Sequence, residues 1–162
     1  MIILQGSVLF YASITILGLL LGSFFNVAIY RWPQADRNKR EWIRSRSRCP
    51  TCGHILPWHL NIPLISYILL RGKCRFCSMK ISIRYPIVEL STSLIFLLVS
   101  YLFVTYHTLI ETSIDNYLFT YLFLLAFVSL FILSFFIDLF SGIIPDEITI
   151  PLLVLSGLYT VI

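Results

Sequence analysis

Val8–Tyr30 reads VLFYASITILGLLLGSFFNVAIY, apolar throughout except for small and hydroxyl-bearing residues and Asn26. At about 1.5 Å per residue such a helix exceeds the roughly 30 Å of a bilayer's hydrocarbon layer, so the stretch reads as a first membrane span. No Lys or Arg precedes Arg31 and no small-residue cleavage pattern follows, so it reads as a retained span, not a removable leader. Gly18 and Gly22 stand four apart on one helix face, where small residues let another helix approach closely. Outward from this stretch, Pro86–Tyr106 and Tyr117–Ile137 are further apolar runs of spanning length, and Ile148–Ile162 begins a fourth that is too short to cross. The expected fold is mainly α: a polytopic helical membrane protein.

Composition agrees. With 58% hydrophobic residues in 162 and a mean hydropathy of +0.88, the chain has more apolar surface than one small core hides, and a bilayer is the solvent that fits it. The formal net charge of +4 conceals a segregation. All 12 Lys and Arg lie between Arg31 and Arg84, where the only acids are Asp36 and Glu41; Glu89, Glu111, Asp115, Asp138, Asp146 and Glu147 lie beyond. Cations flanking membrane spans report orientation, which makes nucleic acid a poor partner for them. The positive-inside rule places 31–85 in the cytoplasm and the amino terminus and the acidic link 107–116 outside, and Asp138 then returns to the cytoplasmic face.

The insert 31–85 is polar, basic and punctuated by Pro33, Pro50, Pro57 and Pro63. A unit this small needs a metal or disulfides to fold, and it holds all four cysteines of the chain. Cys49-Pro-Thr-Cys52 and Cys74-Arg-Phe-Cys77 are two CxxC knuckles with 21 residues between them, near the spacing of a tetrahedral four-cysteine zinc site. Gly53 follows the first pair where a turn needs conformational freedom. Two disulfides or four free thiols are the alternatives, but a cytoplasmic location is reducing. Four protein ligands leave no open position, so the metal is expected to fold a zinc-ribbon-like insert and not to hydrolyse anything. His54 and His59, near the first knuckle, are of a type that could replace a cysteine as ligand, but with four cysteines at hand they are expected at the surface or in packing.

Among the carboxylates, Asp138 closes the third run in Asp138-Leu-Phe-Ser-Gly-Ile-Ile-Pro145-Asp146, a position suited either to acid–base work or to simple contact with interfacial water. Asp146, after Pro145 and before an apolar run, reads first as a helix N-cap. Glu89, at the start of the second run, would be costly unpaired, and Arg84 is its expected partner. Aspartic proteolysis needs two carboxylates sharing a proton; Asp138 and Asp146 form such a pair only if the turn between them folds back tightly.

Gly22-Ser23-Phe24-Phe25-Asn26-Val27 with Arg31, the paired knuckles, Asn61-Ile62-Pro63-Leu64-Ile65-Ser66-Tyr67 and Arg84-Tyr85-Pro86-Ile87-Val88-Glu89 resemble, in order and spacing, the type IV prepilin peptidases. The resemblance implies an inner-membrane aspartic endopeptidase that removes the short basic leader of prepilins or pseudopilins at the cytoplasmic face. Many members also methylate the new amino terminus from S-adenosylmethionine, an activity associated with the amino-terminal region. Asp138 matches the family's first catalytic aspartate. The second, in a Gly-x-Gly-Asp segment, has no counterpart within these residues.

The resemblance thus divides the chain into an N-terminal domain, 1–107, and an incomplete peptidase domain, 108–162, with partial span 148–162 and a separate C-terminal half as a possible partner. Spacing assigns no residue to the methyl donor. The competing reading is a non-catalytic, membrane-anchored zinc-binding module or inactive fragment, its basic insert recruiting a cytoplasmic partner or anionic membrane lipid.

Overall fold

The computed structural model describes residues 2–32, 46–110 and 117–161. Asp36, Glu41, Glu111 and Asp115, read above from the sequence, lie outside the described residues. Five α-helices follow in order: α1 Ile2–Arg31, α2 Ile65–Leu69, α3 Arg84–Ile110, α4 Tyr117–Ser141 and α5 Asp146–Val161, with a 3-10 turn Trp58–Asn61 before α2. Three of them, within Ser7–Arg31, Arg84–Thr108 and Tyr117–Ser141, are long and apolar enough to cross a membrane, which makes this a mainly helical membrane protein.

The helices run past the ends of the apolar runs. Once a helix is established, each further residue adds one ladder bond, so polar ends are carried along. Hence α3 continues through His107 to Ile110, into the expected acidic link, and α4 passes Asp138 to reach Ser141. Asp138 therefore lies within α4, one turn short of its end, and does not close the helix. Gly142 does, adopting φ +65° and donating its N–H to the Asp138 carbonyl at 2.7 Å, a left-handed C-terminal position that suits glycine.

The α1–α3 pair is the main tertiary seam. It is antiparallel: Gly18 faces Ser93, Gly22 faces Glu89, and Asn26 Nδ2 donates to the Tyr85 carbonyl at 3.0 Å. A Cβ on Gly18 would stand 2.6 Å from the Ser93 Cα, and one on Gly22 2.6 Å from the Glu89 Cα. In lipid there is little hydrophobic gain from bringing helices together, so close backbone packing and interhelical hydrogen bonds hold them. Ser93 Oγ donates to the Thr15 carbonyl at 3.1 Å, and Ser100 Oγ lies 2.7 Å from Tyr121 Oη, joining α3 to α4.

Phe25, Ala28, Ile29, Val88, Phe96, Ile132, Phe136 and Ile137 fill the interior between the three long helices. Leu9, Leu20, Leu94, Leu98, Leu122 and Phe131 point outward, as a lipid-facing surface requires. The ends of α1 and α4 and the start of α3 meet, since the Arg84 guanidinium lies 5.9 Å from the Tyr30 ring and 5.3 Å from that of Phe140. The cysteine insert connects α1 to α3 at this same end.

Candidate metal centre and adjoining cleft

Each CxxC pair is a turn closed by its own backbone. Cys49 N–H donates to His54 O at 3.0 Å, Gly53 N–H to Cys49 O at 2.9 Å, and Leu56 N–H to Ser47 O at 2.8 Å. Twenty-five positions on, Cys74 N–H donates to Met79 O at 2.8 Å, Ser78 N–H to Cys74 O at 2.9 Å, and Ile81 N–H to Gly72 O at 2.8 Å. Antiparallel bridges Arg48–Ile55 and Lys73–Lys80 clamp the two turns identically. The two knuckles are one structural unit used twice. Gly53 and Ser78 occupy the same left-handed position, at φ +70° and +58°.

The units face each other so that the Sγ atoms of Cys49, Cys52, Cys74 and Cys77 all lie within 4.8 Å of one another, with Cys49 and Cys77 3.9 Å apart. Four sulfurs around an ion at about 2.3 Å are separated by roughly 3.8 Å in a tetrahedron, so the donor set fits a zinc-type ion. The electrostatics point the same way. The Cys52 backbone N–H, aimed at the Cys49 sulfur, does most to lower that thiol to about 6. Met79 N–H works in the same direction on Cys77, but burial and the neighbouring thiols outweigh it and push Cys77 up to about 12. Four thiolates this close do not coexist near neutral pH unless a cation neutralises them.

Neither histidine joins the set. The His54 ring stacks on Phe76 across the two knuckles, 4.7 Å between centroids and 11° between planes. His59 stands edge-on to Trp58, and its carbonyl accepts from Ser66 Oγ.

Beside the metal module, a cavity of about 480 Å³ opens between it, the end of α1 and the start of α3, with Asn26, Tyr30, Tyr67, Arg84, Tyr85 and Glu89 in its wall. The expected Glu89–Arg84 pair does not form. Residues five apart on a helix point about 140° from one another at 3.6 residues per turn, so the two side chains leave α3 on different sides. Glu89 Oε2 instead accepts the Leu64 backbone N–H at 2.8 Å. Leu64 has φ 58°, and this bond ties the loop ahead of α2 to the membrane helices. Arg84 lies among the rings of Tyr30, Tyr85 and Phe140, and its Nε is buried without a hydrogen-bond partner, as is Asn26 Oδ1. Asn26 was legible only as the one amide in an apolar run; its partner is 59 positions away.

Asp138 and Asp146 are both exposed, and no hydrogen bond joins them among the described residues. Asp146 is not the N-cap. It is the first residue of α5, and the Pro145 carbonyl accepts the first helical bonds, from Ile148 at 3.0 Å and Thr149 at 3.1 Å. Proline presets the backbone here but offers no side-chain acceptor, so Asp146 acts on the helix through its charge near the positive end of the dipole.

Fold and site together define a class: a polytopic helical membrane protein with four thiols placed to hold a metal ion and a polar cleft at one end of its spans. Residues 16–103 match the bacterial peptidase A24 N-terminal domain, and the chain belongs to that family. It is 51% identical over 88 residues to a prepilin leader peptidase/N-methyltransferase of Myxococcus xanthus, 54% of this chain and 25% of that protein. Proteins of the same description from Vibrio cholerae and Pseudomonas aeruginosa are 51% identical over 81 residues and 43% over 100, covering 48% and 49% of this chain and 32% and 34% of their own lengths. The matches thus span about a third or less of these curated relatives. No solved structure matches the chain.

Proposed function

We propose that this chain works as part of a prepilin leader peptidase and N-methyltransferase of the bacterial inner membrane, with its cysteine module in the cytoplasm and prepilins or pseudopilins as substrates. In this reading residues 1–107 form the N-terminal domain and 108–162 begin the aspartic peptidase domain. The observation that carries it is the convergence at one end of the bundle: the metal module, the cleft and Asp138 all stand where α1 and α4 end and α3 begins.

Asp138 is the proposed first catalytic aspartate. Exposed on the last turn of α4, it has the access to water and peptide that a general base needs. A second carboxylate must hold the shared proton, and Asp146 is a weak candidate since it is not hydrogen-bonded to Asp138. The four thiolates hold a structural zinc that folds the insert and leaves no coordination site for catalysis. S-adenosylmethionine would supply the methyl group for the new amino terminus.

The test is cleavage and amino-terminal methylation of a prepilin in membranes carrying this chain, with and without Asp138→Ala. Cleavage abolished by the substitution supports the peptidase role of Asp138. Methylation of precleaved pilin that survives the substitution supports a separate methyl-transfer site. Neither activity, with the chain intact in the membrane, leaves the zinc-binding anchor as the reading.

A further inference from the structure

The polarity of α2 is reversed for a helix in water. Ser66 is buried and donates its Oγ to the His59 carbonyl at 3.1 Å, and Tyr67 and Leu70 line the cleft. Ile65, Ile68 and Leu69 are three and four apart and so share a face, yet they are 53%, 70% and 76% exposed. Trp58, on the 3-10 turn that the Ser66 bond ties to α2, is 79% exposed. Water selects the opposite arrangement, with apolar residues inward, and an exposed apolar face of this kind marks a contact surface.

The way this segment is tethered decides what the face meets. Leu64, at the head of α2, donates its N–H to Glu89 at 2.8 Å. Glu89 is on the second turn of α3, inside the membrane-length segment Arg84–Thr108. Side chains on a helix tilt toward its N-terminus, so Glu89 reaches back and holds α2 level with the first turns of α3. There the lipid-facing surface begins, with Ile87 and Leu90 both exposed. The charges agree. Residues 46–83 contain no Asp or Glu, while Arg46, Arg48, Arg71, Lys73, Arg75 and Lys80 are all exposed, and anionic headgroups attract cations held at the membrane surface. Trp is itself a residue of the membrane–water boundary.

We propose that the outer face of α2, together with Trp58, anchors the insert to the adjoining lipid leaflet. Ile65, Ile68, Leu69 and the Trp58 ring enter the boundary between headgroups and acyl chains, about 5–10 Å deep, and Arg71 and Lys73 meet the anionic headgroups. The cleft wall formed by the inner face of α2 is thereby fixed relative to the bilayer surface. This inference stands on the geometry of the insert and not on the peptidase reading.

The test is fluorescence quenching of the purified full chain in nanodiscs of phosphatidylcholine and phosphatidylglycerol. Trp32→Phe with Trp42→Phe leaves Trp58 as the sole tryptophan. Lipids brominated high on the acyl chain should quench it at least about twice as strongly as lipids brominated near the chain end, as a boundary depth requires. A second reporter, Ile68→Trp with all three native tryptophans changed to Phe, should give the same order. Adding Ile68→Asp and Leu69→Asp to the Trp58 reporter should abolish most of the quenching by bromine and expose the ring to iodide in the water. Helicity and elution volume matching the parent establish that each variant is folded.

Quenching by iodide but not by bromine in either reporter places the face in water and overturns the anchor. Quenching by neither means that another protein surface covers it, which overturns the anchor too. Stronger quenching from the chain ends places the segment in the hydrocarbon interior, against a boundary position. Parental bromine quenching in the folded Asp pair shows that the outer face of α2 does not hold the insert to the lipid, and the proposal fails.

Discussion

Glu89 carries a carboxylate into the packed seam of α1 and α3, where Gly22 leaves room for it by having no Cβ. Its bond to the Leu64 N–H secures a leucine held at φ 58° and ψ −48°, a γ-turn conformation that is strained for L-residues. Glu89→Ala deletes the acceptor and leaves a part-buried amide unpaired, so stability in detergent should fall by about 1–3 kcal/mol. Glu89→Gln keeps an acceptor oxygen and should recover most of that loss. Denaturant titration of the two variants checks this, and equal losses would show that charge, not the Leu64 bond, is what matters. The sequence revealed the oddity of an acid in an apolar run but misdirected the partner to Arg84. Charge proximity along the chain is visible in a sequence; the angle between side chains five apart, and a loop amide 25 positions away, are not.

Among the elements, the α1–α3 seam and the paired knuckles were the most legible, since both announce themselves as residue types at fixed spacing. Gly18 and Gly22 mark a close approach, and the structure supplies the neighbours, Ser93 and Glu89. Gly18→Val should push the helices apart, costing at least the roughly 1–3 kcal/mol usual for overpacking because backbone, and not a flexible side-chain end, stands in the way. A Gly157→Val control, where an added Cβ meets nothing, should cost far less in the same thermal assay. The short 3-10 turn and α2 were not foreseen, since runs of four or five residues carry too little periodicity to register. For the knuckles, the thiol chemistry sets the metal's pH dependence. Cys77, up at about 12 without metal, gives up its proton when the ion binds near neutral pH, while Cys49, lowered to about 6, is already largely thiolate there and begins to compete only as the pH falls through 6. Zinc affinity should therefore rise at least about tenfold per pH unit from 6.5 to 8, one decade for each proton displaced. Competition against a chromogenic chelator measures this, and a flat profile would mean that the four thiols are not the ligands.

For the molecule as a whole, one end does everything proposed here, and the charge segregation indicates which side of the membrane that end faces. Every Lys and Arg in the chain lies between Arg31 and Arg84, so trypsin, which cuts only after these residues, can report on this segment alone. The spans beyond it offer no site at all, whichever way they run. The expected orientation keeps the insert with the cytoplasmic cations that the positive-inside rule describes. Trypsin added to intact spheroplasts should then leave the chain at full length, whereas added to inside-out vesicles it should release the insert and leave α1 separated from α3, α4 and α5. Arg71 and Arg75 are exposed on the insert, so if a metal folds it, cutting at these two sites should quicken once chelator is added. Cleavage in sealed spheroplasts would reverse the whole arrangement. Because Arg84 and Phe140 meet at the same end as the insert, that result would carry Asp138 and the cleft outside with it. A leader removed in the cytoplasm would then be out of reach of this site, and the peptidase reading would fail with the topology.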